Sequence, residues 1–206
     1  MSRKKIFNER YKTDNTPWEL ERPDSNLINI IKTSNIQPCK TLEIGCGTGS
    51  NAVWLSQNKF KVTGVDFSSL AIEKARKKAV KYGVEVDFHI SDFLKQKNSA
   101  PEFEFLFDRG CFHSFDNRKE RKIFAKNAGM HLKEHGMWLS FIGNADDKPR
   151  EQSLGPPMRS ALEIITAVEP YFKIVSLISG KFDSNREKPA LCWKCLMKKR
   201  RILKNG

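Results

Sequence analysis

The segment Phe107–Phe115, FDRGCFHSF, carries three side chains that can do chemistry within five consecutive positions. Arg109 is charged at any physiological pH and can hold an anionic group. His113 has an ordinary pKa near neutrality and could deprotonate a thiol. Cys111 could be a nucleophile or a small residue that lines a pocket. Structural roles stay open as well, since Arg109 could pair with a neighbouring aspartate and His113 could simply pack.

Three acids elsewhere come at the ends of apolar runs: Glu43 in TLEIG, Asp66 in KVTGVDF and Asp92 in HISDF. Glycines at positions 45, 47 and 49 follow the first run, where they permit a tight turn and a close approach of the backbone to a ligand. Parallel sheets bind ligands at the carboxyl ends of their strands, so we expect the three acids to converge there. An acid beside the loop would repel a pyrophosphate and suits a ligand with a cationic amino group.

Strands and helices alternate through most of the chain, which predicts a parallel sheet with helices on both faces. The predicted strands are 41–45, 61–67, 84–92, 103–108, 137–143, 172–182 and 190–199, and the predicted helices are 50–58, 68–83, 117–136 and 159–170. No helix separates the last two strands, so they are expected to pair antiparallel. The strand–helix alternation therefore predicts seven strands with an antiparallel final hairpin.

The motif EIGCGTG at 43–49, with Asp66 and Asp92, resembles the class I S-adenosylmethionine-dependent methyltransferases over about residues 40–145. The resemblance implies a Rossmann-like α/β fold, S-adenosylmethionine as cofactor and S-adenosylhomocysteine as product. It implies that Glu43 and the loop hold the methionine portion, Asp66 the ribose, and Asp92 with Phe93 the adenine. The expected cofactor-binding residues are Trp18, Glu43, Gly45, Cys46, Gly47, Thr48, Gly49, Asp66, Phe67, Asp92, Phe93 and Arg109.

Three shorter stretches concern the methyl acceptor: DRG at 108–110, GPP at 155–157 and TPWELERP at 16–23. They resemble the thiopurine S-methyltransferases and the plant halide and thiol methyltransferases, in which the tryptophan segment closes over the cofactor. The resemblance implies a small soft acceptor, namely a thiol, a selenium compound or a halide, and places Arg109 at the active site. His113 follows four residues later, so a helical turn would return it to the same face, and Arg109 and His113 are the expected catalytic residues. The expected substrate pocket comprises Trp18, Arg22, Phe112, Phe115, Pro156 and Met158.

The formal charge of +13 is the main compositional oddity, and it keeps a nucleic-acid partner possible without favouring it. The alternatives are therefore an RNA or protein methyltransferase, or a regulator that binds the cofactor without turnover. The sequence has no apolar run long enough to predict a membrane span. A signal peptide needs an apolar stretch after its basic N-terminus, and none is present, so a cytoplasmic protein is expected. Five scattered cysteines fit reduced thiols, and no metal site is expected. We expect one domain, with residues 1–36 covering the cofactor and 37–206 forming the methyltransferase domain.

Overall fold

The computed structural model describes residues 3–96, 102–147 and 156–201. The chain divides into two compact units, one of Met1–Phe93 with Asp183–Glu187 and one of Leu94–Phe182 with Lys188–Gly206. Within the described ranges, no helix combines the length and the apolar composition needed to cross a bilayer. The expected division into a covering segment and one methyltransferase domain stays a prediction.

The first unit is built on three parallel strands. Its elements are α1 (Arg3–Lys12), α2 (Ser25–Thr33), β1 (Lys40–Ile44), α3 (Ser50–Gln57), β2 (Lys61–Asp66), α4 (Ser69–Lys81) and β3 (Asp87–Ile90). β2 lies between β1 and β3 and pairs with both in parallel. Ile44 lies opposite Val65, so β1 and β2 end at the same edge. This register brings the loop after β1 next to the acid that ends β2.

Helix α4 begins as the sequence predicts, with a serine cap. The Ser68 hydroxyl oxygen accepts a hydrogen bond from the Ala71 backbone N–H at 3.3 Å, which satisfies one of the first free donors of the helix. The buried face of α4 carries small side chains, among them Ala75. A Cβ added at Gly49 would lie 3.0 Å from the Ala75 Cβ. Small residues on both sides therefore let α4 pack closely against the glycine loop.

The second unit contains the remaining strands and two helices. Its elements are β4 (Phe103–Arg109), α5 (Arg118–His131), β5 (Leu132–Asn144), β6 (Met158–Arg159), α6 (Ala161–Val168), β7 (Phe172–Lys181) and β8 (Leu191–Lys199). β5 pairs in parallel with β4 and with the two-residue β6. β8 lies between β5 and β7 and is antiparallel to both. The predicted antiparallel final hairpin is confirmed, and β6 is a short addition that the sequence did not predict.

The helix predicted over 117–136 is wrong at its carboxyl end. Helix α5 ends at His131, and Leu132 already pairs with Phe103 as the first residue of β5. The next parallel pair is Phe105 with Met137, so the intervening residues of β5 form a bulge. His135 lies within this bulge with a φ of 64°. Leu132 is fully buried, and its place in the core ends the helix before the glycine that the sequence pattern used as the stop signal.

Candidate functional site

The glycine loop of the first unit is held by backbone and carboxylate contacts. The Gly45 and Cys46 N–H groups donate to the Val65 carbonyl at 2.8 and 3.0 Å, and the Gly47 N–H donates to Asp66 Oδ2 at 3.1 Å. Gly47 has a φ of 53°, in the left-handed region where side chains are strained. A Cβ there would lie 2.2 Å from Glu19 Oε1. The left-handed conformation therefore favours glycine at position 47, and a larger residue would also displace the Glu19 carboxylate.

Glu43 is a buried carboxyl with one satisfied oxygen. Its Oε1 accepts a hydrogen bond from Asn51 Nδ2 at 3.2 Å, whereas the buried Oε2 has no hydrogen-bond partner among the described residues. Burial raises the pKa of Glu43 to about 8; the hydrogen bond from Asn51 opposes the shift, and the nearby carboxylates of Glu19 and Asp66 add to it. A cationic group beside Oε2 would therefore stabilise the ionised form of Glu43.

Asp66 ends β2 and is also buried. Its Oδ1 accepts from the Ser68 N–H at 2.9 Å, and its Oδ2 accepts from the Gly47 N–H at 3.1 Å. Burial raises its pKa to about 6, although these hydrogen bonds oppose the shift. Each carboxylate oxygen keeps further acceptor capacity, so Asp66 can both fix the loop and accept from a ligand hydroxyl.

Glu19 is a third carboxylate at the loop, and the sequence analysis did not single it out. Its Oε2 accepts from the Thr48 hydroxyl at 2.6 Å, and its Oε1 accepts from the Tyr11 hydroxyl at 2.8 Å. Trp18 Nε1 donates to the same Tyr11 oxygen at 3.2 Å. The TPWELERP motif indicated this segment through its tryptophan. The carboxylate of Glu19 is also bound by Tyr11 of α1, a helix that the sequence did not predict.

Aromatic side chains connect α1 to two of the expected cofactor residues. The Phe7 ring lies 5.1 Å from the Trp18 ring and 5.7 Å from the Phe67 ring, measured between centroids. Arg10 lies over the Trp18 ring at 5.3 Å. Trp18 and Phe67 are thus brought together by Phe7 in the first unit.

The remaining expected residues of this unit differ in their surroundings. Asp92 is half-buried after β3, and Phe93 is buried at the start of a short 3-10 turn. Cys46 is buried, and burial raises the pKa of its thiol well above the ordinary value, so it is no nucleophile at neutral pH.

Arg22, an expected pocket residue, is about half exposed and forms a bidentate ion pair with Asp183. This ion pair fastens the tryptophan segment to residues 183–187 of the same unit.

The second unit contains the segment Phe107–Phe115, which begins near the end of β4. Asp108 is fully buried: its Oδ2 accepts from the Phe112 N–H and its Oδ1 from Trp138 Nε1, both at 2.9 Å. Burial raises the pKa of Asp108 to about 6. The carboxyl therefore holds the turn that follows Arg109. The Arg109 guanidinium lies over the Phe182 ring at 5.4 Å.

His113 lies in this turn, and the expectation that its pKa is near neutrality is wrong. Its Nδ1 accepts a hydrogen bond from the Gly143 N–H at 2.8 Å, and its ring packs edge-on against Phe182 at 5.9 Å. Burial, together with the charges of Arg159 and Arg109, lowers the pKa of His113 to about 3. His113 is therefore a neutral imidazole. We call Arg109, His113 and Phe182 the β4-end cluster.

Two buried arginines, both missed by the sequence analysis, hold the backbone of this turn. Arg159 Nη2 donates to the carbonyls of His113 and Phe115 at 2.7 and 3.1 Å and to Asp116 Oδ1 at 2.6 Å. Arg121 Nη1 donates to the Phe115 and Asp116 carbonyls, both at 2.7 Å. No local sequence motif marked these arginines, because their partners are backbone atoms.

The residues expected to form a substrate pocket do not share one environment. The Phe112 ring is fully buried between Phe124 and Trp138, and the Phe115 ring packs on Phe124, so both belong to an aromatic core. Pro156 is half-buried and Met158 is exposed, whereas Gly155 of the GPP motif lies outside the described residues. The expected pocket therefore stays a prediction.

Comparisons with known proteins identify the fold and the chemistry. Residues 41–136 match the family model described as "Methyltransferase domain". The "Probable thiol methyltransferase 2" of Arabidopsis thaliana is 27% identical over 170 residues, which are 81% of this chain and 73% of that protein. "Thiocyanate methyltransferase 1" of Brassica oleracea is 26% identical over 178 residues, which are 84% and 73% of the two chains.

Two solved structures share the fold over nearly the whole chain. One comes from work on conversion of a disulfide bond into a thioacetal group during echinomycin biosynthesis; its TM-score is 0.84 at 19% identity, over 96% of this chain and 92% of that one. The N-methyltransferase NodS of Bradyrhizobium japonicum, in complex with S-adenosyl-L-homocysteine, has a TM-score of 0.75 at 16% identity, over 97% and 100% of the two chains. The predicted Rossmann-like fold with an antiparallel final strand is confirmed.

The first unit fits S-adenosylmethionine as cofactor. The unpartnered Oε2 of the buried Glu43 suits an ammonium group. The carboxyl groups of Glu19, Glu43 and Asp66 at the glycine loop also suit a ligand that carries a sulfonium and an ammonium. Residues 41–136 thus match a methyltransferase domain, and the chain resembles S-adenosylmethionine-dependent methyltransferases in sequence and in fold.

Proposed function

We propose that this methyltransferase acts on a small, soft nucleophile: a thiol, a selenium compound or a halide-like anion. The observation that carries the proposal is the β4-end cluster, in which a guanidinium and a neutral imidazole both contact one aromatic ring. Cationic and N–H donors beside a polarisable ring suit an anionic, polarisable acceptor. The relatives named as thiol and thiocyanate methyltransferases support this acceptor class.

The proposed cofactor-binding residues belong to the first unit. We assign the amino group of the cofactor to Glu43, the ribose hydroxyls to Asp66, and the methionine portion to the glycine loop. Asp92 with Phe93 is assigned to the adenine. When bound, the cofactor supplies an electrophilic methyl group on a positive sulfonium.

The proposed acceptor-binding residues belong to the second unit, and the reaction needs little chemical machinery from them. Soft nucleophiles are already reactive, so alignment and exclusion of water supply most of the acceleration. Arg109 orients the acceptor through its charge and its fixed donors. Arg159 and Arg121 keep the turn in place through the carbonyls of His113, Phe115 and Asp116. These two arginines are positioning residues rather than catalytic ones.

The charge of +13 motivates the alternative acceptors, RNA or protein. Within α4, several lysines already pair with groups of the first unit: Lys74 with Asp14, Lys77 with Glu73 at 2.6 Å, and Lys78 with the Ser50 hydroxyl at 2.7 Å. Lysines engaged in this way contribute less to a phosphate-binding surface than their number indicates. This pairing favours the small acceptor over RNA.

The test is a screen for S-adenosylhomocysteine release with thiocyanate, iodide, hydrosulfide, alkyl thiols, selenols and RNA. The proposal expects turnover with the soft small nucleophiles and none with RNA. An Arg109→Ala variant should lose acceptor turnover, and its S-adenosylhomocysteine affinity measures how much Arg109 also contributes to cofactor binding. Salt-sensitive binding and methylation of RNA, without turnover of any small nucleophile, would support the alternative. Cofactor binding without any turnover would identify a regulator.

A further inference from the structure

We infer that His113 is a fixed hydrogen-bond donor to the acceptor rather than a base, so that the acceptor must bind as a preformed anion. The inference rests on the proposed function and narrows its substrate class. It excludes a reaction in which His113 removes the proton from a neutral thiol. The ring nitrogen of His113 that carries the proton decides between a donor and a base.

The hydrogen bond with Gly143 settles the position of the proton. The Gly143 N–H donates to Nδ1 at 2.8 Å, so Nδ1 must offer a lone pair and carry no hydrogen. The proton of the neutral ring is therefore on Nε2. The other tautomer would place two N–H groups against each other at a buried backbone position. Since Nε2 has a lone pair only in that other tautomer, His113 cannot accept a proton from an acceptor at Nε2.

The surrounding backbone fixes both partners of this hydrogen bond. A Cβ at position 143 would lie 2.2 Å from the Pro157 carbonyl oxygen, so Gly143 is closely enclosed. The His113 carbonyl accepts from Arg159 Nη2 at 2.7 Å, and the preceding Phe112 N–H is bound to Asp108. Neither the ring nor the Gly143 N–H can turn away without breaking contacts of neighbouring elements.

The charges that face His113 also favour the neutral form of its ring. Arg109 on β4 and Arg159 on β6 are positive, and both disfavour a positive imidazole. Asp116 is exposed and bound to Arg159, whereas the buried Asp108 is bound to backbone and indole donors. A neutral ring between two guanidinium groups therefore keeps its Nε2–H as a donor across the physiological pH range. The same positive field attracts an anion.

This arrangement defines the chemical form of the acceptor. A lone pair of the acceptor anion forms the new bond to the methyl carbon as the old carbon–sulfur bond gives its electron pair to sulfur, and no proton moves. Thiocyanate, iodide and hydrosulfide meet this condition at neutral pH. An alkyl thiol reacts only through the fraction that is already ionised in solution.

The first experiment observes the tautomer without any turnover. Two-bond ¹H–¹⁵N spectra of the ¹⁵N-labelled protein, with His113 assigned through His113→Asn, should show a protonated Nε2 and an unprotonated Nδ1. The signals should not titrate between about pH 5 and pH 8. A proton on Nδ1, or a titration midpoint near neutrality, would overturn the inference.

The second experiment uses two variants that separate the two ring nitrogens. Asn at position 113 can offer an oxygen near the Nδ1 position to Gly143 but has no group at the Nε2 position, whereas the longer Gln amide can donate there. His113→Asn should raise the KM for thiocyanate about tenfold or more without changing the Kd of S-adenosylhomocysteine. His113→Gln should recover most of the lost affinity for thiocyanate. Equal losses in both variants would contradict a donor role.

The pH profiles separate failure of the inference from failure of the proposed function. With thiocyanate, kcat/KM should not change near neutral pH, and across a thiol series it should follow the pKa of each thiol. One ascending limb shared by all acceptors and abolished in His113→Gln would overturn the inference while the proposed function stands. If no soft acceptor reacts at all, the proposed function fails, and the NMR spectra still decide the tautomer.

Discussion

Replacement of Glu43 by Gln tests the buried charge beside the glycine loop. Burial raises the pKa of Glu43 from its ordinary value near 4.5 to about 8 in the folded protein. Between these two values the unfolded chain releases a proton that the folded protein keeps, so the free energy of unfolding falls as the pH rises. The slope approaches about 1.4 kcal/mol per pH unit for one group and levels off above about pH 8.

The contribution of Glu43 to the free energy of unfolding is best measured between about pH 6.5 and pH 8. Asp66 and Asp108, with pKa values of about 6, and the neutral His113, whose ordinary pKa is 6.5, contribute mainly at lower pH. Within this window Glu43 alone should lower the free energy of unfolding by between about 1 and 2 kcal/mol, because its folded pKa is reached only near the upper end.

The assay is urea unfolding of the wild type, Glu43→Gln and the exposed-site control Glu85→Gln at several pH values in this window. The wild type and Glu85→Gln should lose stability as the pH rises, and Glu43→Gln should not, since its side chain cannot ionise. A flat wild-type profile, or an equal decline in Glu43→Gln, would refute the reasoning about the buried carboxyl.

Three further predictions concern other residues of the two units. Asp66→Ala should weaken S-adenosylhomocysteine binding by about 1.5–3 kcal/mol, because ribose hydroxyls would lose a charged acceptor; calorimetry on a folded variant checks this, and an unchanged Kd removes Asp66 from the site. Gly47→Ala should cost about 1 kcal/mol or more in urea unfolding and weaken cofactor binding, since the new methyl meets Glu19 at a positive φ; wild-type values would contradict it. Arg109→Lys should lose most activity because the planar fork is lost, whereas Cys111→Ser should keep it; the inverse result would indicate a covalent nucleophile.

The fold of this chain follows from local sequence signals to a large extent. Alternating apolar runs and the serine cap of α4 predicted most strands and helices, because those signals act within a few residues. The end of α5 was mispredicted, since the burial of Leu132 opposite Phe103 is a long-range contact that overrides the stop signal at Gly136. Helix α1 was missed because its sequence is almost wholly polar, and its aromatic contacts become visible only once Trp18 is placed.

The candidate site was predictable where chemistry is carried by a motif. The glycine loop, Glu43 and Asp66 follow directly from their positions at strand ends. The environment of His113 was not predictable, because it depends on one backbone N–H thirty residues away along the chain. The two positioning arginines bind carbonyl groups, which any residue type supplies, so no sequence pattern identifies them.

The measurement that tests the central claim most directly is product analysis with thiocyanate and iodide as acceptors. The enzyme should form methyl thiocyanate or iodomethane in one-to-one ratio with S-adenosylhomocysteine, as quantified by mass spectrometry of the headspace and the solution, and Arg109→Lys should lose most of both products. The account would be contradicted if S-adenosylhomocysteine formed without a methylated small product, or if RNA or protein received the methyl group instead.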